Sequence, residues 1–324
     1  MYYDIHVLLL IYSYVVYSTV LKMSNAQLID GKTISKQIKD EIKVDIEKWV
    51  ALGHKRPKLV AVLVGEDPAS QKYVKNKMVA AEYVGIASET KRLQGDATQS
   101  DLLQCIDQLN NDKTVDGILV QLPVPAHIDE RTICNAVNPD KDVDGFNNSN
   151  IGKLCLNVDT FIPCTALGVI ELIKRSGIET FGKNVVVCGR SKNVGLPIAM
   201  LLHSDANNAI PGHEATTTIC HRNTPPEQLA EHVKKADIVV TATGVRNLIK
   251  PEFIKPGSCI IDVGLIRITD ENGKEKLVGD VDFEGVSKVA GHITPVPGGV
   301  GPMTVAVLMQ NTLKAAKMSV DQQN

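Results

Sequence analysis

The sequence predicts an α/β protein made of two α/β domains with a cleft between them, the second built on a doubly wound parallel sheet. Three observations predict it. Short β-branched runs alternate with helical-period segments along most of the chain. A length of 324 residues suits two domains of ordinary size. Aromatic residues make up only 4% against 44% hydrophobic residues in all, as aliphatic cores under parallel strands require.

Residues 5–21, IHVLLLIYSYVVYSTVL, are apolar and carry no Asp, Glu, Lys or Arg, which is marginally enough to span a bilayer. They lack the basic flank and small-residue cleavage site of a signal peptide, and the arginines of a mitochondrial presequence. Residues 1–23 therefore read either as an atypical targeting segment or as an upstream extension, with translation starting at Met23. From there the globular pattern begins. Ile34, Ile38, Ile42, Ile46 and Trp49 recur at helical spacing, so 33–52 is a helix. KLVAVLVG (58–65) is a buried strand. Residues 68–85 form a helix opened by Pro68 and stopped by Gly85. A strand over 86–92, a helix over 98–111 and a strand over 115–123 follow.

A Pro/Asp-rich bend at 138–146 leads through a linker to a helix at 165–176. The alternation then resumes. Strands are expected at 184–189, 215–220, 236–241, 258–263 and 290–293, and helices at 195–203, 226–234 and 302–317. This divides the chain into a first domain, 24–163, and a second, 164–318, with a tail at 319–324. The last helix is expected to return to the first domain.

Composition excludes several classes. A net charge of −2 leaves no basic excess to neutralise phosphates, so no nucleic-acid partner is expected. The seven cysteines are odd in number and form no C-x-x-C, which reads as free thiols in a reducing compartment. Eight histidines without H-E-x-x-H argue against structural zinc.

Chemistry should sit just beyond the carboxyl ends of the strands. VVVCGRSKNVGLP (185–197) has the strand, turn and helix order of a Rossmann-like dinucleotide site, but not its G-x-G-x-x-G spacing. Counting from Gly189, the second and third glycine places hold Ser191 and Val194, and Gly195 comes one step late. Backbone N–H groups at the helix start suit a pyrophosphate. The next strand ends at His221 and Arg222 where an acid would hold a ribose hydroxyl, so with Arg190 the residues by themselves suggest NADP. The segment 203–215 adds the acids Asp205 and Glu214. Tyr73 and Lys77 share one helix face at i and i+4. Gln121 ends a strand before a rigid proline loop. PVPGGVGP (295–302) packs three prolines and three glycines into eight residues ahead of a helix.

Together these stretches resemble one family. GEDPASQKYVKNK, DGILVQLPVP, NPDKDVDGF, PCTALGVIELI, GRSKNVGLP, ATG (242–244), IDVG (261–264) and TPVPGGVGPMT look like the bifunctional methylenetetrahydrofolate dehydrogenase/methenyltetrahydrofolate cyclohydrolases over about residues 26–318. The resemblance implies a folate substrate and two reactions. Methylenetetrahydrofolate loses hydride to a dinucleotide, and the methenyl product is hydrolysed to 10-formyltetrahydrofolate. It implies Lys77 as the essential group of hydrolysis, Tyr73 stacking on the folate, Gln121 hydrogen-bonding the lysine and Asp144 gripping the pterin. The folate site would further include Val74, Lys75, Asn76, Val120, Leu122, Pro297, Gly298, Gly299, Val300 and Gly301. The dinucleotide site would comprise Gly189, Arg190, Ser191, Lys192, Asn193, Val194, Arg222, Thr243 and Gly244.

The long loop, CHRNTPPEQL and LVGDVDFEGV are similar to the mitochondrial NAD-dependent subgroup. That resemblance implies NAD as cofactor, with inorganic phosphate held by Arg190 and Arg222, and Mg²⁺ on a loop acid. Glu214 stands here where the subgroup has aspartate. The resemblance also implies a homodimer in the mitochondrial matrix, with no stable membrane contact of the mature enzyme. The competing readings are the same reactions with NADP, a catalytically silent folate or nucleotide sensor, and an unrelated two-domain oxidoreductase.

Overall fold

The computed structural model describes residues 26–206, 210, 212–269, 273 and 275–321. The 1–23 segment and the end of the 319–324 tail lie outside the described residues. The first half runs β1 (Gln27–Leu28), α1 (Gly31–Ala51), β2 (Lys58–Val64), α2 (Pro68–Val84), β3 (Ala87–Leu93), α3 (Gln99–Asn111), β4 (Gly117–Val120), α4 (Glu130–Ala136) and α5 (Asn148–Cys155). The second runs α6 (Cys164–Arg175), β5 (Asn184–Cys188), α7 (Gly195–His203), β6 (Thr216–Cys220), α8 (Pro226–Lys235), β7 (Ile238–Thr241) and β8 (Cys259–Asp262). It ends with β9 (Ile266–Thr269), β10 (Glu275–Val278), α9 (Phe283–Val286), β11 (His292–Ile293) and α10 (Val300–Asp321).

The architecture is two-domain α/β with parallel sheets. A three-stranded sheet has the order β3-β2-β4, and a six-stranded sheet the order β1-β11-β8-β7-β5-β6. Every pairing in both is parallel. Side-chain alternation splits each central strand between two cores. Leu59, Ala61 and Leu63 of β2 face a core shared with α1, α2, α6, α10 and the near face of the second sheet. Val60, Val62 and Val64 face a separate core with α3. In β5, Val185 and Val187 enter the shared core, while Val186 and Cys188 face the outer one. The helices packed between the two sheets thus hold both halves on one continuous interior. α10 contributes to it by packing on α1, α2 and α6.

Helix starts follow their caps. Asp30 accepts N–H bonds from Lys32 and Thr33 and starts α1 at Gly31, two residues before the expected start at 33. Asp67 caps α2 through Ser70 N–H, with Pro68 at the first turn, and Gly85 at φ 88° ends it.

Four features depart from expectation. Gln27–Leu28, read with the first half, pair with β11 of the second sheet, because a two-residue strand carries no periodic signal. Helix α4 occupies a segment where no element was expected and α5 the segment read as linker, each capped by the side chain before it, Asp129 and Asn147. β9 and β10 form an antiparallel hairpin that was not expected. β4 is shorter than 115–123, ending where the chain turns into the cis Leu122–Pro123 peptide.

Candidate active site

Two clusters of sequence-selected residues line the carboxyl ends of the two sheets. In the first half, α2 and β4 bring Lys77 and Gln121 together. Lys77 Nζ donates to Gln121 Oε1 at 3.0 Å, and the two residues are only 8% and 9% exposed. Gln121 Nε2 donates in turn to its neighbour's carbonyl, Leu122 O, at 2.6 Å, so its amide cannot rotate without losing a bond. Asp144 completes the cluster from the loop before α5. Burial pushes its carboxyl above the ordinary range, while the Lys77 charge and a hydrogen bond from the Cys164 thiol act against that rise. Tyr73, one turn before Lys77 on α2, stays 43% exposed. An exposed ring one turn from a buried amine is a surface ready for a flat ligand.

Not every residue of the expected folate set points this way. Val74 is 2% exposed and belongs to the shared core. Lys75 lies 200° around the helix from Lys77 by helical geometry and lines a separate groove with Arg56, Met78 and Glu82. Asn76 is exposed. Val120 and Leu122 alternate away from Gln121 and pack in the core beneath α3, leaving only their backbone toward α2.

The glycine-rich loop is held from below. Gly298, Gly299 and Val300 are buried while Pro297 and Gly301 are exposed. Gly299 N–H bonds Pro295 O at 2.8 Å. Gly31, the first residue of α1, lies directly against this loop; a Cβ there would come within 2.6 Å of the Gly299 carbonyl carbon. Val300 already belongs to α10, so the last helix starts earlier than 302 and its first turn is part of the loop.

In the second half the chain leaves β5 for β6 on one side and β7 on the other, which makes the carboxyl end of β5 the switch point of the sheet. Gly189 sits there at φ 119°, with its N–H on Cys220 O at 2.8 Å. A Cβ at Gly189 would lie 3.0 Å from the Ala242 carbonyl carbon, so a side chain is excluded by both conformation and space. Gly195 packs α7 onto the same turn, where a Cβ would stand 2.6 Å from the Gly189 carbonyl carbon. The late glycine thus performs the close helix packing of the usual third glycine.

The helix-start amides are spoken for, contrary to expectation. Ser191 takes the N–H groups of Val194 and Gly195 on its hydroxyl at 3.1 and 3.3 Å, and that of Leu196 on its carbonyl at 3.0 Å. A phosphate must therefore be met by the exposed Arg190, Ser191 and Lys192 and by Asn193 rather than by those three amides. Cys188 pairs with Cys220 in register. Arg190 and Arg222 each stand two residues beyond that pair, both exposed, at the carboxyl ends of adjacent strands. Thr243 is fixed by Asp280, whose Oδ2 accepts from its N–H at 2.7 Å and its hydroxyl at 2.8 Å. Gly244 is exposed at φ 71°.

Glu214 has φ 51°, and its Oε1 accepts the Ala206 N–H at 2.8 Å across the loop. Among the described residues no group of three or more His, Cys, Asp or Glu side chains is arranged to hold a metal. One carboxylate fits Mg²⁺ only where phosphate and water supply the remaining oxygens, which is a common way for this ion to be held.

Three residues that sequence reasoning missed shape these clusters. Cys164 donates its thiol to the Val143 carbonyl next to Asp144 at 3.2 Å, Asp280 holds Thr243, and Arg131 of α4 reaches Asn193 across the cleft at 3.1 Å. Asp280 lies in LVGDVDF, which was noticed without a role; Arg131 lies on a helix that was not expected.

A two-sheet α/β fold with a dinucleotide-type turn on one side of a cleft and a buried lysine–glutamine pair on the other defines a dinucleotide-binding enzyme class. Residues 29–144 match the catalytic domain of tetrahydrofolate dehydrogenase/cyclohydrolase, and residues 163–320 its NAD(P)-binding domain. A Drosophila melanogaster protein named as a mitochondrial bifunctional methylenetetrahydrofolate dehydrogenase/cyclohydrolase is 60% identical over 297 residues, covering 91% of this chain and 96% of that one. The structure of a Bombyx mori 5,10-methylenetetrahydrofolate dehydrogenase, 52% identical, covers 91% of this chain and 99% of its own with a TM-score of 0.87. That of the Trypanosoma brucei dehydrogenase-cyclohydrolase, complexed with NADP and an inhibitor, is 38% identical, covers 92% of this chain and 99% of its own, and has a TM-score of 0.85. The chain belongs to the tetrahydrofolate dehydrogenase/cyclohydrolase family.

Proposed function

We propose that this chain oxidises 5,10-methylenetetrahydrofolate with NAD and hydrolyses the methenyl product to 10-formyltetrahydrofolate, in the mitochondrial matrix. The observation that carries the reading is the buried Lys77–Gln121 pair with Asp144 beside it at the carboxyl edge of β4. When bound, the dinucleotide supplies the hydride acceptor. The chain's part in that step is positioning, because the methenyl cation needs no protein proton acceptor. Tyr73 stacks on the folate, Asp144 holds the pterin, and the loop over Pro297–Gly301 closes the site. Hydrolysis does need proton transfer. Water adds to the methenyl carbon and gives one proton to the Lys77 amine. The carbon–N5 bond then breaks as Lys77 returns that proton to N5 and the remaining hydroxyl proton leaves to solvent, forming the formyl C=O. Gln121 keeps the Lys77 amine aimed at that carbon.

Asp144 yields a pH prediction. Its carboxyl is raised, so it picks up a proton at a higher pH than an ordinary carboxylate and loses its charge on the acid side. The folate kcat/KM should fall with decreasing pH along a limb that begins above the usual carboxylate range. A pH–rate profile of Asp144→Asn should be low and lack that limb; persistence of the limb would assign it to another group.

Preference for NAD is argued from the paired Arg190 and Arg222, which fit a phosphate ion where NADP would carry its own, and from Glu214, which would hold Mg²⁺ with phosphate and water. The similarity to proteins named mitochondrial supports the compartment. A homodimer is inferred too, through the second sheet, where β6 is an edge strand with Ile219 39% exposed. Protein started at Met23 is assayed with NAD⁺ or NADP⁺, each with and without Mg²⁺ and phosphate. We expect NAD⁺ turnover that rises with both ions. Ion-independent turnover with NADP⁺ would instead place the cofactor's own phosphate on the two arginines.

A further inference from the structure

Arg131 is the second residue of α4, and its guanidinium joins the two candidate clusters. Nη1 donates to Phe146 O at 2.8 Å, and Nη2 donates to Asn193 Oδ1 at 3.1 Å. Phe146 follows Asp144 and Gly145, in the loop proposed to hold the pterin. Asn193 belongs to the turn between β5 and α7, on the dinucleotide side. Each end of this link rests on a fixed frame. The buried Asp142 accepts the N–H groups of Gly145 and Asn147 at 3.1 and 2.7 Å, which pins the Phe146 carbonyl between them. The turn on the other side is wrapped around Ser191. A guanidinium suits such a link because its planar fork serves two acceptors in set directions; an ammonium on a flexible stem does not. Asp129 caps α4 through Thr132 N–H at 2.7 Å, so the helix itself is anchored where the arginine leaves it.

We propose that Arg131 is a positioning residue for hydride transfer: it clasps the dinucleotide turn to the folate loop and so sets the separation of the two reacting ligands. The proposal rests on the function proposed above, and the two reactions of that function separate its effects. Hydrolysis uses the folate side alone. Hydride transfer needs both sides in register, and a displacement of about 1 Å there costs on the order of a hundredfold.

The test compares the unmutated protein with Arg131→Met, which keeps an apolar stem and removes both hydrogen bonds. Dehydrogenase kcat is expected to fall between about tenfold and about a hundredfold, and the KM and Kd for dinucleotide to rise. Cyclohydrolase kcat and KM, measured on methenyltetrahydrofolate without dinucleotide, should stay unchanged. Hydrogen exchange in the ligand-free protein should accelerate over 189–196 and not over 142–147. Arg131→Lys should recover part of the dehydrogenase rate. Asn193→Ala should show at least that defect, and the double-mutant cycle should be less than additive, the part of its effect carried by the clasp disappearing in the Arg131→Met background. Equal loss of both activities would make Arg131 a support of α4 only, and no change in either would remove the clasp altogether. Additive effects of the two substitutions would also overturn the proposal. An unmutated protein lacking both activities would refute the proposed function instead.

Discussion

Lys77→Met is expected to abolish hydrolysis of methenyltetrahydrofolate while sparing much of the dehydrogenase reaction. The side chain is buried on α2, and methionine keeps its length and apolar stem. What disappears is the amine that moves a proton. General acid–base groups contribute about 10²–10⁴-fold, equivalent to roughly 3–5 kcal/mol of barrier. Hydride transfer has no proton to place, so its kcat should fall far less. The substitution also leaves Gln121 Oε1 without its donor, a penalty of about 1–3 kcal/mol for a buried acceptor. A thermal melt separates this cost from catalysis, because lost folding would lower both activities together. Parallel assays of the two reactions decide the matter. Equal loss in both would mean that Lys77 binds substrate rather than moving a proton.

Gly31→Ala should have a large structural effect at the candidate active site. The new Cβ would stand within 2.6 Å of the Gly299 carbonyl carbon and 2.9 Å of the Gly298 carbonyl oxygen. Both obstacles are backbone, so no side chain can rotate out of the way. Either the start of α1 or the Pro297–Gly301 loop must shift. Overpacking of this kind costs about 1–3 kcal/mol, and each kcal/mol lowers Tm by about 2–4 °C even in a domain of 150–250 residues. The KM for folate should rise, since the displaced loop is the one proposed to close on it. Gly152→Ala is the matched control. That glycine lies in α5 with nothing within 4 Å of its Cβ position, and alanine is the better helix former there. Calorimetry should show Tm falling in Gly31→Ala and rising slightly in Gly152→Ala, while folate KM should rise in the first and stay unchanged in the second. An unshifted Tm and KM in Gly31→Ala would mean that the loop moves freely and is not held by α1.

Much of the fold was legible because its signals are local. α2 announces itself through Pro68, its apolar stripe and Gly85. β2, β5, β7 and β8 are apolar runs with a polar residue only at one end, as strands covered on both faces must be. The i, i+4 spacing of Tyr73 and Lys77 placed both on one helix face before any coordinate was known. Shorter elements were illegible for the same reason. α4 has seven residues, too few for a period to emerge, and β1 has two. The order of strands cannot be read from a run of residues either. That β6 and β7 flank β5, and so open the crevice at Gly189, depends on pairings between segments tens of residues apart.

The candidate site divides along the same line. The sequence by itself determined which chemical groups this protein carries and on which elements: Lys77 on a helix, Gln121 at a strand end, glycine at 189, arginines at 190 and 222. Those properties follow from local spacing and from residue type. Only the tertiary structure decided which groups meet. It joined Lys77 to Gln121 through the packing of α2 against the β3-β2-β4 sheet, and spent the amides at the start of α7 on Ser191. It also carried Arg131 across the cleft to Asn193. Such contacts arise from the burial of one interior shared by both halves, and burial is a property of the whole chain rather than of any stretch within it.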